Sequence, residues 1–274
     1  MTRVAVVGHV EWVEFAVVER VPAPGEIVHA RETFSLAAGG GAVAATQLVK
    51  LADTARFFTA LGDDAGGRAA AVQLAAAGTT VDVAWKGETR RCFTFLSDDH
   101  ERTITVLGDR LVPHGDDDLP WEELGDCDAV YFTGGDVEAL RHARRARWLV
   151  ATPRALEVVR ASGVQLDVLV GSGVDPGETV PPGLLDPAPR FMVRTRGPEG
   201  GEWTASEGTT GEWAAEPLPG APVDAYGCGD AFAAGLTYGL AAHDDLGEAL
   251  RLAARCGAHA LCGRGPYAGQ LASA

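Results

Sequence analysis

The chain has almost no lysine. Lys50 and Lys86 are the only two among 23 basic residues, which face 38 Asp and Glu for a formal net charge of −15. So acidic a surface excludes a polyanion such as nucleic acid as the expected partner. No Gly-x-x-x-x-Gly-Lys-Ser/Thr loop is present, so any nucleotide chemistry must rely on backbone donors and arginine. Cysteine is also scarce. Cys92, Cys127, Cys228, Cys256 and Cys262 are odd in number and contain no Cys-x-x-Cys pair, which argues against a disulfide framework or a thiolate zinc site and for reduced thiols in the cytoplasm. The seven histidines (9, 29, 100, 114, 142, 243, 259) never fall in a His-x-x-x-His or His-Glu-x-x-His spacing, which speaks against a histidine metal site. His9 and His259 are the two worth following. Long apolar runs are missing too: the longest uncharged stretch, Thr33 to Val49, has 17 residues, is broken by Gly39, Gly40 and Gly41, and holds Ser35, Thr46 and Gln47. It is no membrane span. Val4–Val7 is too short for a signal-peptide core and reads as a buried first strand, so a cytoplasmic protein without a membrane partner is expected.

What is present is a soluble globular composition, 46% apolar and 22% charged over 274 residues, a length that permits one large α/β domain or two small ones. Strand-like and helix-like runs alternate: Val4–Val7, Ala42–Leu51, Ala55–Thr59, Arg68–Ala77 ended by Gly78, and Val81–Val83. The alternation returns at Ala129–Thr133, Arg141–Arg147, Leu149–Ala151, Ala155–Ser162, Val168–Gly171 and Phe191–Val193, and two helical patterns close the chain. This βαβ rhythm predicts a mainly parallel sheet with helices on both faces. Residues about 10–34 and about 88–107 break the rhythm with period-2 alternation, and Ser97–Glu101 reads as a polar turn. They predict antiparallel strands forming a small sheet that lies over a site as a lid. Asp116–Glu123 reads as a solvated surface connection, and Arg141, Arg144, Arg145 and Arg147 as a solvated basic helix face.

The chemistry concentrates in Asp224-Ala225-Tyr226-Gly227-Cys228-Gly229-Asp230-Ala231-Phe232-Ala233-Ala234-Gly235-Leu236. Glycines crowd just ahead of a helix, where the first N–H groups lack internal partners. Gly227, Cys228 and Gly229 would therefore present several donors and a positive dipole end to an anion. Asp230 falls in the first turn, where the dipole favours its ionised form. Two readings stand side by side: a proton acceptor for an attacking hydroxyl, or a helix cap. Cys228, at the same helix start, would have a depressed pKa and is a weaker candidate as a nucleophile, with no histidine partner evident.

The Asp-x-x-Gly-x-Gly-Asp run resembles the second signature of the PfkB/ribokinase-like carbohydrate kinase family. Three further segments follow that family's order: Ala38–Gly41 entering a helix, Leu61-Gly62-Asp63-Asp64-x-x-Gly67, and Arg196-Gly197-Pro198-Glu199-Gly200 after a strand. The resemblance covers nearly the whole chain. It implies a ribokinase-like three-layer α/β/α fold with a mainly parallel central sheet and a small β lid, in a single domain over residues 1–274. It also implies ATP-dependent transfer of the γ-phosphoryl group to a hydroxyl of a sugar or nucleoside-like acceptor. On the same resemblance Asp230 is the catalytic base and Gly227, Cys228 and Gly229 are the anion hole. Thr195, Arg196, Gly197 and Gly200 lie along the ATP phosphates, with Arg264 as a further phosphate or base contact. Gly39, Gly40 and Gly41 let the acceptor approach the backbone. Asp224 stands near a monovalent cation or the magnesium shell, and Mg2+ bridges the phosphates.

The chain departs from the family pattern at informative places. Val43 stands where asparagine is usual, and Val13 where a sugar-gripping aspartate is usual, leaving Glu11 and Glu14 as the nearby carboxylates and Glu11 as the acceptor contact. The Asn-x-x-Glu motif that organises magnesium is represented by Ser172-Gly173-Val174-Asp175, with Glu178 farther on, which makes Asp175 the metal candidate there. The Asp-Pro-Asn stretch reads Ala151-Thr152-Pro153-Arg154. Trp12 beside Glu11 offers either a stacking surface or plain packing. These departures keep a second reading open, a non-catalytic ligand or nucleotide sensor on the same fold. A dinucleotide-binding Rossmann protein is disfavoured, since Gly8-His9-Val10-Glu11 replaces Gly-x-Gly-x-x-Gly after the first strand. An exposed lid sheet would also offer its edge to a second copy, so a homodimer is expected.

Overall fold

A computed structural model describes residues 2–98 and 102–272. Thirteen strands and six α-helices follow in order: β1 (Val4–Val7), β2 (Glu11–Val17), β3 (Glu32–Ala38), α1 (Gly40–Ala52), β4 (Ala55–Leu61), α2 (Ala65–Ala76), β5 (Thr79–Trp85), β6 (Arg91–Leu96), β7 (Arg102–Leu107), β8 (Ala129–Phe132), α3 (Val137–Ala143), β9 (Trp148–Ala151), α4 (Leu156–Ser162), β10 (Val168–Ser172), β11 (Phe191–Thr195), β12 (Gly201–Ala205), β13 (Thr210–Trp213), α5 (Cys228–His243) and α6 (Leu246–Leu261). Residues 99, 100 and 101 of the expected polar turn lie outside the described residues.

Nine strands form one sheet in the order β13-β12-β11-β10-β9-β8-β1-β4-β5. Every pairing from β11 to β5 is parallel. Strand β1 is wholly buried because it feeds both faces. Val4 and Val6 join the core under α1, α2, α5 and α6, whereas Ala5 and Val7 join the core under α3 and α4. These are the three layers of an α/β/α fold. The edge hairpin β12–β13 is antiparallel and is absent from the sequence reading, since Gly201, Gly208 and Gly211 interrupt its alternation. Helices α5 and α6 pack unusually close: a β-carbon on Gly239 would lie 2.6 Å from the Cα of Ala249, and one on Gly235 2.9 Å from the Cα of Ala253. The small residues of the sequence pattern thus set how near α5 sits to its neighbour.

The second sheet, β3-β2-β6-β7, corresponds to the expected lid. Its strands differ from the expectation in two ways. The β2–β6 pair is parallel, because the chain passes through the body between them and cannot return as a hairpin. Strand β3 extends to Ala38, paired with Glu11, so the lid runs directly into the glycine cluster. The expected helix Arg141–Arg147 also shifts. Asp136 accepts the N–H of Ala139 and starts α3 at Val137, and the helix ends at Ala143. Arg141, Arg145 and Arg147 are exposed, as expected of a solvated face, with Arg141 pairing with Glu138 and Arg147 with Asp244 at the surface; Arg144 departs from it, half-buried against Asp167.

Asp167 joins two layers. Its carboxylate accepts the N–H of Leu149 at 2.8 Å, Arg144 Nη1 at 2.6 Å and Arg190 Nη1 at 3.1 Å. Removing a buried partner of this kind leaves donors unmatched, so Asp167→Ala should cost about 2–4 kcal/mol of stability by urea unfolding. A loss under 1 kcal/mol would show that the two guanidiniums re-solvate without penalty.

Candidate functional site

The carboxyl ends of β1, β10 and β11 and the amino ends of α1 and α5 face one region, the usual ligand-binding end of an open α/β sheet. Two glycine clusters meet there. Gly39 caps α1 at φ +86°, and Gly227 caps α5 at φ +79°, neither with a side-chain cap, so both helices direct unpartnered N–H groups and positive dipole ends inward. A β-carbon on Gly40 would stand 2.8 Å from Asp230 Oδ1, one on Gly41 2.6 Å from the carbonyl oxygen of His9, and one on Gly227 2.9 Å from Val43 Cγ1. Asp230 therefore lies directly over the α1 glycines and does not cap its own helix. Burial pushes its carboxyl up to about 6, opposed by Arg102 and Arg154 and assisted by Glu178 and Glu11. The sequence-based expectation that the dipole dominates is corrected: desolvation outweighs it, although the group is still mainly ionised at neutral pH.

Glu11 and the buried His9 border the same floor; a β-carbon on Gly39 would lie 3.2 Å from His9 Nε2 and 3.3 Å from Glu11 Cγ. Glu11 pairs with Arg90 Nη1 at 3.0 Å, accepts from Cys92 Sγ at 3.1 Å, and stands 3.9 Å from His9 Nε2. Burial, then the charges of Arg110 and Arg90, push His9 down to about 3, so its imidazole is neutral. His9 Nδ1 and Arg90 Nε are buried without a hydrogen-bond partner among the described residues. Val13 is fully buried in the lid core with Val43 and Tyr226. Trp12 belongs to β2, not to the first strand, and packs against the core beside α2, which is the packing alternative.

The remaining sequence candidates separate. Thr195 ends β11, where its carbonyl accepts the N–H of Gly173. Gly197 has φ +56° and Gly200 φ +82°, and a β-carbon on Gly200 would lie 2.0 Å from the carbonyl oxygen of Trp213. Arg196 pairs with Glu202 and Glu212. Arg264 forms a two-pronged pair with Glu32 of the lid and lies over Phe34. Burial pushes the Cys228 thiol up to about 12, which overturns the depressed pKa expected at a helix start and removes its case as a nucleophile. His259, in the last turn of α6, joins none of these groups. His114 comes within ligand distance of Asp116 and Asp136 on the exposed surface, an arrangement the spacing does not reveal, but Asp136 Oδ1 is occupied by the N–H groups of Gly115 and Ala139.

The carboxylates considered for a metal are all engaged. Asp224 accepts from the N–H groups of Tyr226 at 2.8 Å and Gly265 at 2.7 Å. Asp175 accepts Gly177 N–H at 2.8 Å and Arg154 Nη2 at 2.5 Å. Glu178 accepts Ser172 N–H at 2.7 Å and Arg154 Nε at 2.9 Å. One guanidinium, that of Arg154, is already shared by Asp175 and Glu178, so these two side chains do not fit a dedicated magnesium shell, and Asp224 is held by backbone donors. Arg154 and Glu178 were legible only as departures from a pattern; that they join each other near Asp230 is a tertiary result.

The family model for pfkB carbohydrate kinases matches residues 1–163 and 183–272. The chain belongs to the pfkB carbohydrate kinase family. No curated protein matches it. Among solved structures, ribokinase from Thermotoga maritima aligns with a TM-score of 0.81 at 17% identity over 99% of this chain and 97% of that one. Ribokinase from Arabidopsis thaliana, complexed with ribose and ATP, aligns at 0.77 and 20% identity over 97% and 94%. A nucleoside kinase from Methanocaldococcus jannaschii aligns at 0.73 and 15% identity over 98% and 95%. At these identities the likeness shows a shared fold. Among the described residues no helix is long and apolar enough to cross a membrane.

The raised carboxyl pKa carries a stability consequence. The folded chain holds the Asp230 proton more tightly than the unfolded chain, so ionising Asp230 destabilises the fold as pH rises from about 4 through about 6. Asp230→Asn should therefore be more stable than the parent at pH 8, by about 1–3 kcal/mol, with the gain vanishing at pH 4. Denaturant titrations at both pH values check this; equal stabilities at pH 8 would mean that the carboxylate is solvated.

Proposed function

We propose that this pfkB-family protein is an ATP-dependent kinase that transfers the γ-phosphoryl group to a hydroxyl of a sugar or nucleoside-like small molecule. The observation that carries the proposal is the position of Asp230 Oδ1 over Gly40, where only a glycine leaves room for a ligand oxygen against the backbone. In this reading the acceptor lies on Gly39–Gly41 beside Glu11, and its hydroxyl gives its proton to Asp230. The oxygen attacks the γ-phosphorus, the bond to the β-phosphate oxygen breaks, and ADP leaves. The free N–H groups of Gly227, Cys228 and Gly229 stabilise charge on the transferring group. Thr195, Arg196, Gly197 and Gly200, beyond the sheet end, are the proposed nucleotide contacts. Arg264 is already engaged by Glu32 of the lid. The solved ribokinase that carries ribose and ATP is the fold-level precedent for a paired acceptor and nucleotide site. No step is assigned to Asp224 or Asp175 as metal ligands, for the reasons given above.

We read residues 1–274 as one kinase domain, with its lid positioned to exclude water from the transfer. All six residues of the lid edge strand β7 are exposed, Ile104, Val106 and Leu107 among them; a second copy covering this edge would make a homodimer. Light scattering behind size exclusion that gives a monomer at every concentration removes the dimer.

A non-catalytic sensor is the second reading, favoured by the capture of Asp175 and Glu178 by Arg154. Turnover decides between them. ADP release measured against sugars and nucleosides should fall by three or more orders of magnitude in Asp230→Asn. The parent's kcat/KM should rise with pH to an inflection near 6 and then level off, because the base must be ionised. Binding without turnover, unchanged by Asp230→Asn, establishes the sensor. Gly40→Ala tests the steric claim: its methyl displaces the carboxylate, so activity should drop at least about 100-fold while far-UV circular dichroism is retained.

A further inference from the structure

We propose that Arg154 is a built-in cation of the nucleotide side: it closes the Asp175–Glu178 corner to a divalent ion and offers its remaining guanidinium nitrogen, Nη1, to a phosphate oxygen of the nucleotide. The proposal rests on the kinase reading for its nucleotide, whereas the closure of the corner stands on the side chains alone. Arg154 follows β9, Ser172 ends β10, and Thr195, in register with Ser172, ends β11. The corner therefore adjoins the strand end proposed above to carry nucleotide contacts. Asp175 and Glu178 fall between the two stretches that match the family model, so the family pattern does not dictate their arrangement.

All four carboxylate oxygens of the corner already accept a donor. Asp175 Oδ1 takes the N–H of Gly177 at 2.8 Å and its Oδ2 takes Arg154 Nη2 at 2.5 Å. Glu178 Oε1 takes Arg154 Nε at 2.9 Å and its Oε2 takes the N–H of Ser172 at 2.7 Å. Glycine lets the corner close this tightly: a β-carbon on Gly171 would stand 2.9 Å from Glu178 Oε2 and 2.7 Å from Pro153 Cγ. A divalent ion requires about six oxygen ligands and would have to displace both backbone donors and the guanidinium to use these. The planar fork of an arginine needs no such shell, because it meets one oxygen of each carboxylate. Nε and Nη2 are spent in this way, which leaves Nη1. A β-carbon on Gly177 would stand 3.1 Å from Nη1, so the missing side chain there keeps that nitrogen open. The Arg154 side chain is 46% exposed, enough to meet a ligand, and its two carboxylates fix its orientation before the ligand arrives. Its charge also reaches Asp230, where it favours the ionised form.

The test uses the full chain and two probes, Mn2+ and ADP, with the parent, Arg154→Met, Arg154→Lys, Glu178→Gln and Arg160→Met. Arg160, on the surface of α4, pairs with the exposed Glu157, so its removal unpairs a different carboxylate and controls for net charge. Mn2+ is titrated without nucleotide, and its free-ion signal is followed by electron paramagnetic resonance. The parent and Arg160→Met should take up no ion that depends on Glu178. Arg154→Met should gain a site at least about tenfold tighter than any in the parent, since loss of the guanidinium frees one oxygen on each carboxylate, and adding Glu178→Gln to it should abolish that site. Uptake by the parent that is lost in Glu178→Gln overturns the proposal, as does the absence of a gain in an Arg154→Met protein with the parent's far-UV circular dichroism. ADP is then titrated by calorimetry in EDTA. The parent should bind it, Arg154→Met should bind about tenfold or more weakly, and Arg154→Lys should fall between. No binding by the parent, or undiminished binding by Arg154→Met, also overturns the proposal. ADP binding that depends on Arg154, with no sugar or nucleoside turned over, leaves this proposal standing and removes the kinase reading. Turnover that depends on Asp230, with both titrations unchanged in Arg154→Met, does the reverse.

Discussion

Two helix amino termini cannot share one small space unless their first residues are nearly without side chains, and this steric constraint organises the molecule. Helices α1 and α5 bring Gly40 and Asp230 together so closely that a methyl group on Gly40 would meet the carboxylate. Everything around the junction preserves that approach. Strand β3 delivers Gly39 in a conformation open to glycine, the Phe57 ring closes on Gly41, and α5 is held against α6 through Gly235 and Gly239. Both helices leave their first N–H groups uncapped by side chains, which in a structural junction would be a defect and at an anion site is the working surface.

Charge is distributed against the average of the chain. The surface is acidic, yet arginines gather around the junction: Arg90 and Arg110 at the lid base, Arg154 on the loop after β9, and Arg102 on the lid edge. Arg154 has the larger effect on what the site can do. By holding Asp175 and Glu178 together it offsets one of the two negative charges of an acidic corner. The positions where this chain departs from the family pattern are thus coupled. The residue that replaces asparagine in the Asp-Pro-Asn stretch binds the carboxylates of the altered Asn-x-x-Glu region, so the two changes form one interaction. Asp230 responds to the sum of these charges and to its own burial, and burial prevails.

Much of the fold was legible because its signals are local. The βαβ rhythm follows from short apolar runs that can be buried only between two helical layers, whereas the start of α2, expected at Arg68, lies at Ala65 behind the Asp64 cap. Glycine clusters marked both helix ends of the site for the same reason, since the backbone geometry there admits little else. Where longer-range contacts decide, the reading drifted. Arg144, expected in water with its neighbours, found the buried Asp167 across the layers. The lid strands β2 and β6 pair in parallel only because the body of the protein is threaded between them.

By itself the amino-acid sequence determined the layered architecture, the family, and the two glycine-rich turns, since each of these depends on residues that are neighbours in the chain. Tertiary structure alone decided what the side chains at those turns experience. Glu11 meets Arg90 and Cys92 across a sheet, Arg154 meets Asp175 and Glu178 across two loops, and Cys228 and Asp230 are desolvated by elements distant in sequence. Electrostatic environment is a property of volume, set by all the groups and the excluded water around an atom, and a one-dimensional pattern carries no direct record of it.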